Sequence, residues 1–384
     1  MNKKKNISLI TIDYGAGGAE RVISLLLKHL VKDYNVTLVL FYEYIDYEIP
    51  DGVELVVLSS SMSRDNTIFR KAKDTLLVTW KYHHLIKRKN IDISIAFLAL
   101  PNIINGIMAM WNKNLRTVIS ERCFPSIMYK ANRSSHFLAK YMFPYFYPKN
   151  DHLFSNSVYI NKDLKESFKV NMPMSVIYNP IGVDENERKI PEAITVTKTL
   201  KFINVGSIYG AKNQMMIVNT LTLLNKEDFH FVQAGVGEME DELKAYINEL
   251  GLDNQVTFLG KIDNVKEQLI NSDCFVLSSK TEGFPNVVLE AMSVGLPVIS
   301  TNCMSGPLEL INDNEPVDIK EGEFVECKYG ILVNVDDNQG LAKALTYFKD
   351  YPEVRQKYSK LGFERAKQND LPSIYNQLKE LLEG

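Results

Sequence analysis

The chain has 384 residues, a formal net charge of -3 and 24% charged residues. This length predicts two domains, and the 45% hydrophobic content is typical of a globular chain and excludes a disordered one. The near-neutral charge gives no reason to expect a nucleic-acid partner. The sequence holds no signal peptide and no uncharged apolar run of about 18 residues. We therefore expect a cytoplasmic protein, soluble or peripheral on the inner face of the cell membrane.

Short β-branched runs alternate with segments of helical period, a pattern that predicts parallel α/β layers. The predicted strands of the first half are 7–12, 36–41, 54–58, 91–97 and 116–120. Those of the second half are 201–205, 230–234, 256–259, 273–277, 297–300 and 330–333. Clear amphipathic helices are predicted over 19–31, 214–224 and 240–250. The fold class is therefore α/β with doubly wound sheets.

The alternation stops near the sequence NPIGVD at 179–184 and restarts after a polar segment, 185–198, which we interpret as a linker. This predicts a first domain over 1–184 and a second over 185–365. The tail, 366–384, is predicted to be a helix that packs back toward the first domain. Ligands of open α/β sheets bind beyond the carboxyl ends of the strands, so two such sheets facing across a cleft would each hold one substrate.

The loop after the first strand reads DYGAGGAER, at 13–21. Gly17 and Gly18 let the backbone approach a ligand closely, and the helix start offers N–H groups to an anion. The spacing is not GxGxxG, so a dinucleotide site is not predicted. The alternative is a tight strand-to-helix turn without a ligand.

Two further loops of the second half contain glycines. The first, VGSIYGAKNQ at 205–214, places Lys212 at a helix start, where it can meet phosphate charge. The alternative is a solvated lysine at a helix end. The second, GVGEME at 235–240, is interpreted as a turn near the same site.

The strongest signal is TEGFPNVVLEAM, at 281–292, after the strand predicted at 273–277. Pro285 and Asn286 suit the first turn of a helix, whose dipole favours an anion. Glu282 precedes the helix and Glu290 lies one turn inside it. Two carboxylates around an anion at a helix start fit a nucleotide-sugar, which has hydroxyls on both sides of its diphosphate.

Glu282 and Glu290, with seven residues between them, resemble the EX7E motif of retaining GT-B glycosyltransferases, and the context EGFPNVVLEAM resembles glycosyltransferase family 4. GGAER at 17–21, the 206–212 loop and Ser120-Glu121-Arg122 resemble further segments of that family, in the same order. The resemblance implies a GT-B fold of two Rossmann-like domains. The first would bind the acceptor and the second the nucleotide-sugar.

By this resemblance Glu282 contacts the donor sugar, Glu290 holds the ribose, and Lys212 neutralises the leaving diphosphate; Glu282 and Lys212 are thus the catalytic candidates. The remaining donor-binding residues implied are Gly17, Gly18, Gly206, Ser207, Lys261, Gly283, Phe284, Pro285 and Asn286. Glu121 and Arg122 are acceptor-side candidates. One departure is Ser207, which stands where the family commonly has an arginine.

The family's reaction is a front-face displacement, so neither glutamate is expected to act as a nucleophile. No DxD sequence occurs, and neither a metal nor another cofactor is expected. The resemblance implies transfer of a hexose or N-acetylhexosamine from a UDP-sugar, or else a GDP-sugar. The acceptor would be a lipid-linked or membrane-presented glycan in polysaccharide, lipopolysaccharide or glycoconjugate biosynthesis. The alternatives are a GT-B nucleotide-sugar epimerase, an inactive sugar-nucleotide-binding homologue and a periplasmic sugar-binding module.

Two segments suggest contact with a membrane. Between Met62 and Asn90 lie eight basic residues interleaved with Leu76, Leu77, Trp80 and Tyr82, which suits an anionic membrane surface. The eight are Arg64, Arg70, Lys71, Lys73, Lys81, Lys87, Arg88 and Lys89. The alternative is a solvated basic helix over the first sheet. The second segment, 137–149, has six aromatic residues and is expected to cover the core, line an acceptor groove or contact a membrane.

Overall fold

Two seven-stranded sheets, one in each half of the chain, organise the computed structural model, which describes residues 4–15, 17–59, 68–130 and 133–384. Contacts divide the chain into two units. The first comprises Met1–Pro180 together with Leu371–Gly384, and the second comprises Ile181–Asp370. The predicted fold class, α/β with two parallel-sheet domains, is confirmed.

The first sheet is parallel throughout, with strand order β3-β2-β1-β4-β5-β6-β7. Its strands are β1 (Asn6–Thr11), β2 (Asn35–Leu40), β3 (Val53–Val57), β4 (Ile93–Phe97), β5 (Arg116–Glu121), β6 (His152–Ser155) and β7 (Met174–Val176). The inner strands are buried on both faces. This burial explains why their sequences are largely continuous apolar runs and do not alternate between apolar and polar residues.

Helices cover both faces of this sheet. They are α1 (Gly18–Asp33), α2 (Ile68–Lys89), α3 (Ala99–Trp111), α4 (Pro125–Lys130), α5 (Arg133–Phe146), α6 (Val158–Phe168) and α14 (Leu371–Glu383). One apolar cluster joins the sheet to α1 and α14, and another joins its opposite face to α2, α3, α5 and α6. The last helix therefore belongs to the core of the first unit.

The second sheet has the order β10-β9-β8-β11-β12-β14-β13, and only β13 runs antiparallel to its neighbour. Its strands are β8 (Leu200–Val205), β9 (Phe229–Ala234), β10 (Val256–Gly260), β11 (Cys274–Leu277), β12 (Val298–Thr301), β13 (Phe324–Glu326) and β14 (Ile331–Val333). Its helices are α7 (Gln214–Leu221), α8 (Glu240–Glu249), α9 (Val265–Ile270), α10 (Asn286–Ser293), α11 (Pro307–Asn312), α12 (Asn338–Asp350) and α13 (Pro352–Lys367).

All eleven predicted strands are present, with ends shifted by two residues or fewer. The sequence analysis missed β6, β7 and β13, which have only three or four residues each and so show too little periodicity to be recognised.

The segment interpreted as a linker packs on the second unit. The backbone N–H of Lys189 donates to the carbonyl of Val294 at 2.9 Å. The ammonium group of Lys189 also donates to the carbonyl of Ile270 at 3.0 Å. The boundaries between the units, after Pro180 and after Asp370, lie a few residues from those predicted from the sequence.

No helix in the described part of the chain combines the length and the apolar character needed to cross a bilayer.

Candidate active site

The strand order of the second unit reverses at β8, which lies between β9 and β11. Loops leaving two adjacent strands in opposite directions create a crevice at such a switch point. The loops after β8 and β11 are the predicted segments that contain Lys212 and Glu282. The loops after β9 and β10 follow on one side, and the loop after β12 follows on the other. Five separate sequence segments thus meet at one edge of the sheet.

A lysine–carboxylate pair joins the two loops at this switch point. The Lys212 ammonium lies 2.6 Å from Oε1 of Glu282, with 23% and 9% of the two side chains exposed. The hydroxyl of Ser279 donates to the same carboxylate oxygen at 2.5 Å. Burial alone would lower the pKa of Lys212, but the Glu282 charge and hydrogen bond outweigh it and raise that pKa above its ordinary value. Lys212 is therefore a fixed positive charge at neutral pH.

Backbone and amide contacts hold Lys212 in place. Asn213 adopts a left-handed conformation, with φ of 57°, just before α7 begins. Its side-chain amide donates to the carbonyl of Ser278 at 3.2 Å. The Ser278 hydroxyl in turn donates to the Lys212 carbonyl at 2.8 Å. The loops after β8 and β11 thus form one hydrogen-bonded unit, and the lysine needs little reorganisation to meet a ligand.

The glycine loops after β8 and β9 touch through their backbones. A Cβ added to Gly235 would lie 2.2 Å from the carbonyl oxygen of Gly206, and one added to Gly237 would lie 2.2 Å from that of Ile208. The Gly235 N–H also donates to the Gly260 carbonyl at 2.8 Å. The glycines at 235 and 237 are required by this close approach.

The loop that contains Glu282 is supported by the loop after β12. The hydroxyl of Ser305 donates to the Gly283 carbonyl at 2.8 Å. Gly306, with φ of 94°, lies close to Pro285. A Cβ added to Gly306 would be 2.4 Å from Cδ of that proline. The sequence analysis missed this support. The signal it could have used is Ser-Gly-Pro at 305–307, a turn motif directly after a strand.

The helix expected from Pro285 and Asn286 is present. It is α10, which begins at Asn286 with Pro285 as its N-cap. Phe284 and Pro285 are buried, whereas Gly283, Asn286 and Glu290 are half-buried. Glu290 lies in the second turn of the helix, so both carboxylates of the motif lie near its start.

Ser207 and Lys261 are exposed. Gln214 donates through its amide to the Ser207 carbonyl at 3.1 Å, which fixes the backbone of that loop. Lys261 follows Gly260, whose backbone contacts the Gly235 turn. Lys261 therefore lies at the same edge of the sheet as the other loops, two strands away from the lysine–carboxylate pair.

In the first unit the strand order reverses between β1 and β4. The loop after β1 ends at Gly17, the N-cap of α1, and Gly18 begins that helix. A Cβ on Gly17 would lie 2.0 Å from Oε2 of Glu20, so the turn is built around that buried carboxylate. Burial raises the pKa of Glu20.

Glu121, the last residue of β5, and Arg122, which follows it, are both buried. The hydroxyl of Tyr147 donates to Glu121 Oε2 at 2.9 Å. Burial raises the pKa of Glu121 to about 7. The Arg122 guanidinium donates to Asn179 at 2.8 Å and lies 4.9 Å from the centre of the Phe154 ring. Arg122 thus fills the core, and Glu121 lines a cavity of this unit.

Among the described residues, no group of three or more His, Cys, Asp or Glu side chains is placed to share a metal ion.

The chain contains two doubly wound sheets, and loops of the kind that bind ligands follow the strands at each switch point. This is the architecture of the GT-B glycosyltransferases. The family model described as "Glycosyltransferase Family 4" matches residues 16–185, and "Glycosyl transferases group 1" matches residues 185–365. The chain belongs to glycosyltransferase family 4, and it is a glycosyltransferase. These matches support the prediction made from EX7E and give no support to the epimerase alternative.

Two relatives from Campylobacter jejuni match almost the whole chain. N-acetylgalactosamine-N,N'-diacetylbacillosaminyl-diphospho-undecaprenol 4-alpha-N-acetylgalactosaminyltransferase is 30% identical, over 99% of this chain and 100% of its own. GalNAc-alpha-(1->4)-GalNAc-alpha-(1->3)-diNAcBac-PP-undecaprenol alpha-1,4-N-acetyl-D-galactosaminyltransferase is 25% identical over 98% of each. The crystal structure of Anabaena HepE with UDP and glucose is similar in fold, with a TM-score of 0.73, 18% identity, and coverage of 99% of this chain and 100% of that one.

Proposed function

We propose that this glycosyltransferase moves a hexose or N-acetylhexosamine, with retention of configuration, from a UDP-sugar to a lipid-linked glycan. The observation that carries the proposal is the pair formed by Lys212 and Glu282 at the switch point, 2.6 Å apart and beside the start of α10. A cation and a helix start offer an anion two sources of positive field. The carboxylate beside them can accept hydrogen bonds from sugar hydroxyls.

In this proposal the donor binds along the carboxyl edge of the second sheet. The diphosphate lies against Lys212 and the backbone of Gly283 to Asn286, Glu282 binds the sugar, and Glu290 binds the ribose. Gly206, Ser207 and Lys261 complete the donor-binding set of the second unit, and the donor contact of Gly17 and Gly18 stays a prediction from the sequence. UDP is favoured over GDP because a neighbour of the same fold was crystallised with UDP and glucose.

The proposed reaction is a front-face displacement. The acceptor oxygen bonds to the anomeric carbon as the bond from that carbon to the diphosphate oxygen breaks. The acceptor proton passes to the departing diphosphate, and Lys212 stabilises the charge that develops there. Catalysis then depends on positioning and electrostatics. Neither glutamate forms a covalent intermediate, and we expect no metal requirement.

The acceptor class is supported by the two Campylobacter jejuni relatives, whose names specify glycans linked to undecaprenol through a diphosphate. Such an acceptor is anchored in a membrane by its lipid, so the proposal places the protein at a membrane surface, the inner face, which it would contact through the exposed side of α2. Leu76, Leu77 and Trp80 are 72%, 43% and 57% exposed on it, whereas Tyr82 is buried against the first sheet and takes no part in this surface. Of the eight basic residues predicted there, Arg64 and the side chains of Arg70 and Lys71 lie outside the described residues. Lys73, Lys81, Lys87 and Arg88 are exposed, and Lys89 pairs with Glu54.

The donor proposal is tested by hydrolysis of UDP- and GDP-sugars without acceptor, measured as nucleotide release. Wild-type protein should release nucleotide slowly from one donor in the presence of EDTA. Lys212→Ala and Glu290→Ala should lose this release, whereas Lys343→Ala, which changes an exposed lysine of α12, should keep it. Failure to bind or hydrolyse any nucleotide-sugar would overturn the proposal, and inhibition by EDTA would overturn its metal-free mechanism.

The membrane proposal is tested by sedimentation with vesicles. Vesicles containing anionic lipid should retain the wild-type protein, and neutral vesicles should not. Trp80→Glu together with Leu76→Glu should abolish this retention without changing donor hydrolysis. Equal retention of the double variant would show that Leu76 and Trp80 of α2 do not carry the membrane contact.

A further inference from the structure

The first unit contains an apolar cavity of about 380 Å³, within the size range of small-ligand sites. It opens at the carboxyl ends of β1, β4 and β5, next to the point where the strand order reverses. Its walls come mainly from α3, α4 and α5, and include Ile103, Met128, Ala139, Met142 and Phe143. The sequence analysis named 137–149 as a possible wall of an acceptor groove, but it did not predict this cavity, because the rest of the lining comes from segments far apart in the chain.

A strained residue lies at the cavity wall. Leu98, the N-cap of α3, has φ of 73° and ψ of 161°. This backbone region is almost restricted to glycine, and other residues keep it where the surrounding structure enforces it. Such strain clusters at ligand sites. At Leu98 it turns the chain so that Leu98, Ala99 and Leu100 all line the cavity.

We propose that this cavity binds an isoprenoid segment of the lipid carrier that bears the acceptor glycan, an inference that rests on the lipid-linked acceptor proposed above. A sugar would need partners for each of its hydroxyls. Of the thirteen lining residues, however, only Glu121, Cys123, Tyr129 and Ser135 have polar side-chain atoms. The Glu121 carboxylate already accepts hydrogen bonds from the Tyr147 hydroxyl and the Arg122 backbone N–H. Apolar walls gain affinity from hydrocarbon instead.

The outer surface of the same helix offers a route from a membrane. Phe137, Tyr141 and Tyr145, spaced by four residues along α5, are 62%, 58% and 56% exposed. Lys149 lies 5.1 Å above the ring of Tyr145. Aromatic rings with a nearby cation are typical of the boundary between lipid and water. Met128, 53% exposed, lines the cavity from α4, so an apolar chain leaving the lipid finds apolar contacts up to the cavity.

The probe for this site is a benzophenone-tagged farnesyl phosphate, photo-crosslinked to the full chain and mapped by peptide mass spectrometry. We expect crosslinks on residues that line the cavity, and at least a tenfold reduction by excess farnesyl phosphate. Inorganic phosphate and N-acetylglucosamine should not compete. Competition by inorganic phosphate would mean that the phosphate alone is recognised, and competition by N-acetylglucosamine would mean that the cavity holds a sugar. Either result would overturn the inference.

Two variants change the cavity and one serves as a control. Ser135→Trp should fill it and Met128→Asp should charge its rim, and each should reduce crosslinking at least tenfold. Met110→Asp changes another exposed methionine, on α3, that does not line the cavity, and it should leave crosslinking unchanged. Donor hydrolysis is the folding control for all three. Crosslinks confined to Phe137, Tyr141 and Tyr145, or unchanged in both cavity variants, would overturn the inference.

The two proposals fail separately. Donor hydrolysis without cavity crosslinks would reject the isoprenoid site and leave the transferase proposal intact. Cavity crosslinks without any nucleotide-sugar binding would reject the proposed reaction and identify the first unit as a prenyl-binding module.

Discussion

Lys212 and Glu282 are in direct contact with one another. Their separation of 2.6 Å, and the Ser279 hydroxyl on the same carboxylate oxygen, place both groups in one fixed geometry. This arrangement keeps a buried lysine charged, since the neighbouring carboxylate offsets its desolvation. A fixed cation stabilises developing charge without reorganisation, which is the basis of electrostatic catalysis.

Lys212→Met should therefore weaken UDP binding about 10- to 100-fold, which corresponds to the loss of one charge-assisted hydrogen bond. UMP should be affected much less, because the proposed contact is with the distal phosphate. Titration calorimetry with both nucleotides measures the difference, and Lys212→Arg should recover part of the UDP affinity. An equal loss for UMP and UDP would place Lys212 elsewhere in the site.

The contribution of Glu121 to the free energy of unfolding changes near neutral pH. Burial raises its pKa from 4.5 to about 7, so the folded protein holds a proton that the unfolded chain releases. The contribution to stability is fully present below pH 4.5 and is lost as the pH rises through about 7.

The substitution Glu121→Gln should remove this dependence, because glutamine stays neutral and can still accept a hydrogen bond from Tyr147. As the pH rises from 5 to 8, the melting temperature of the wild type should fall relative to that of Glu121→Gln. Differential scanning fluorimetry measures both melting temperatures. Parallel curves for the two proteins would show that Glu121 keeps an ordinary pKa.

At the scale of elements, the loops after β8 and β9 act as a unit because their backbones are in contact. Gly237 is packed against both the N and O atoms of Ile208, so no side chain fits there. The loop that precedes Lys212 thus depends on a glycine 25 residues further along the chain.

Gly237→Ala should displace the loop after β8 and cost roughly 1–3 kcal/mol, a typical penalty for overpacking. UDP affinity should fall with it, because Lys212 belongs to the displaced loop. Gly182→Ala is the matched control, since a Cβ at that position meets nothing within 4 Å. Thermal unfolding and calorimetry measure both effects, and identical behaviour of the two variants would mean that the close approach does not constrain the loop.

At the scale of the whole molecule, the chain returns to its first unit after completing the second. Ile374, Leu378 and Leu382 of α14 are buried against α1 and the first sheet. The Tyr375 hydroxyl donates to Asp33 at 2.6 Å, and Arg116 donates to the Leu381 carbonyl at 2.7 Å. The last helix follows the second unit in the sequence, but it stabilises the first unit.

Leu378→Ala should destabilise the first unit by about 2–5 kcal/mol, as expected for a buried leucine. UDP binding, which we assign to loops of the second unit, should not change at temperatures where both units are folded. Gln377→Ala, on the exposed side of the same helix, is the control. Calorimetric unfolding with and without UDP separates the two units, and a loss of UDP affinity in Leu378→Ala would show that the units are energetically coupled.

The sequence by itself determined the α/β class, eleven strands and the loop after β11. Long buried strands and the EX7E spacing are local patterns, so they can be recognised in the sequence without knowledge of the tertiary structure. Only the tertiary structure revealed the Lys212–Glu282 contact, the support from Ser305 and Gly306, and the burial of Arg122 in the core. It also revealed the apolar cavity, whose lining spans Ile12 to Phe143. The physical reason is that local hydrogen bonding and hydrophobic periodicity specify elements, whereas a site at a switch point depends on which strands become neighbours. That order is decided by the packing of both sheet faces, to which residues hundreds of positions apart contribute.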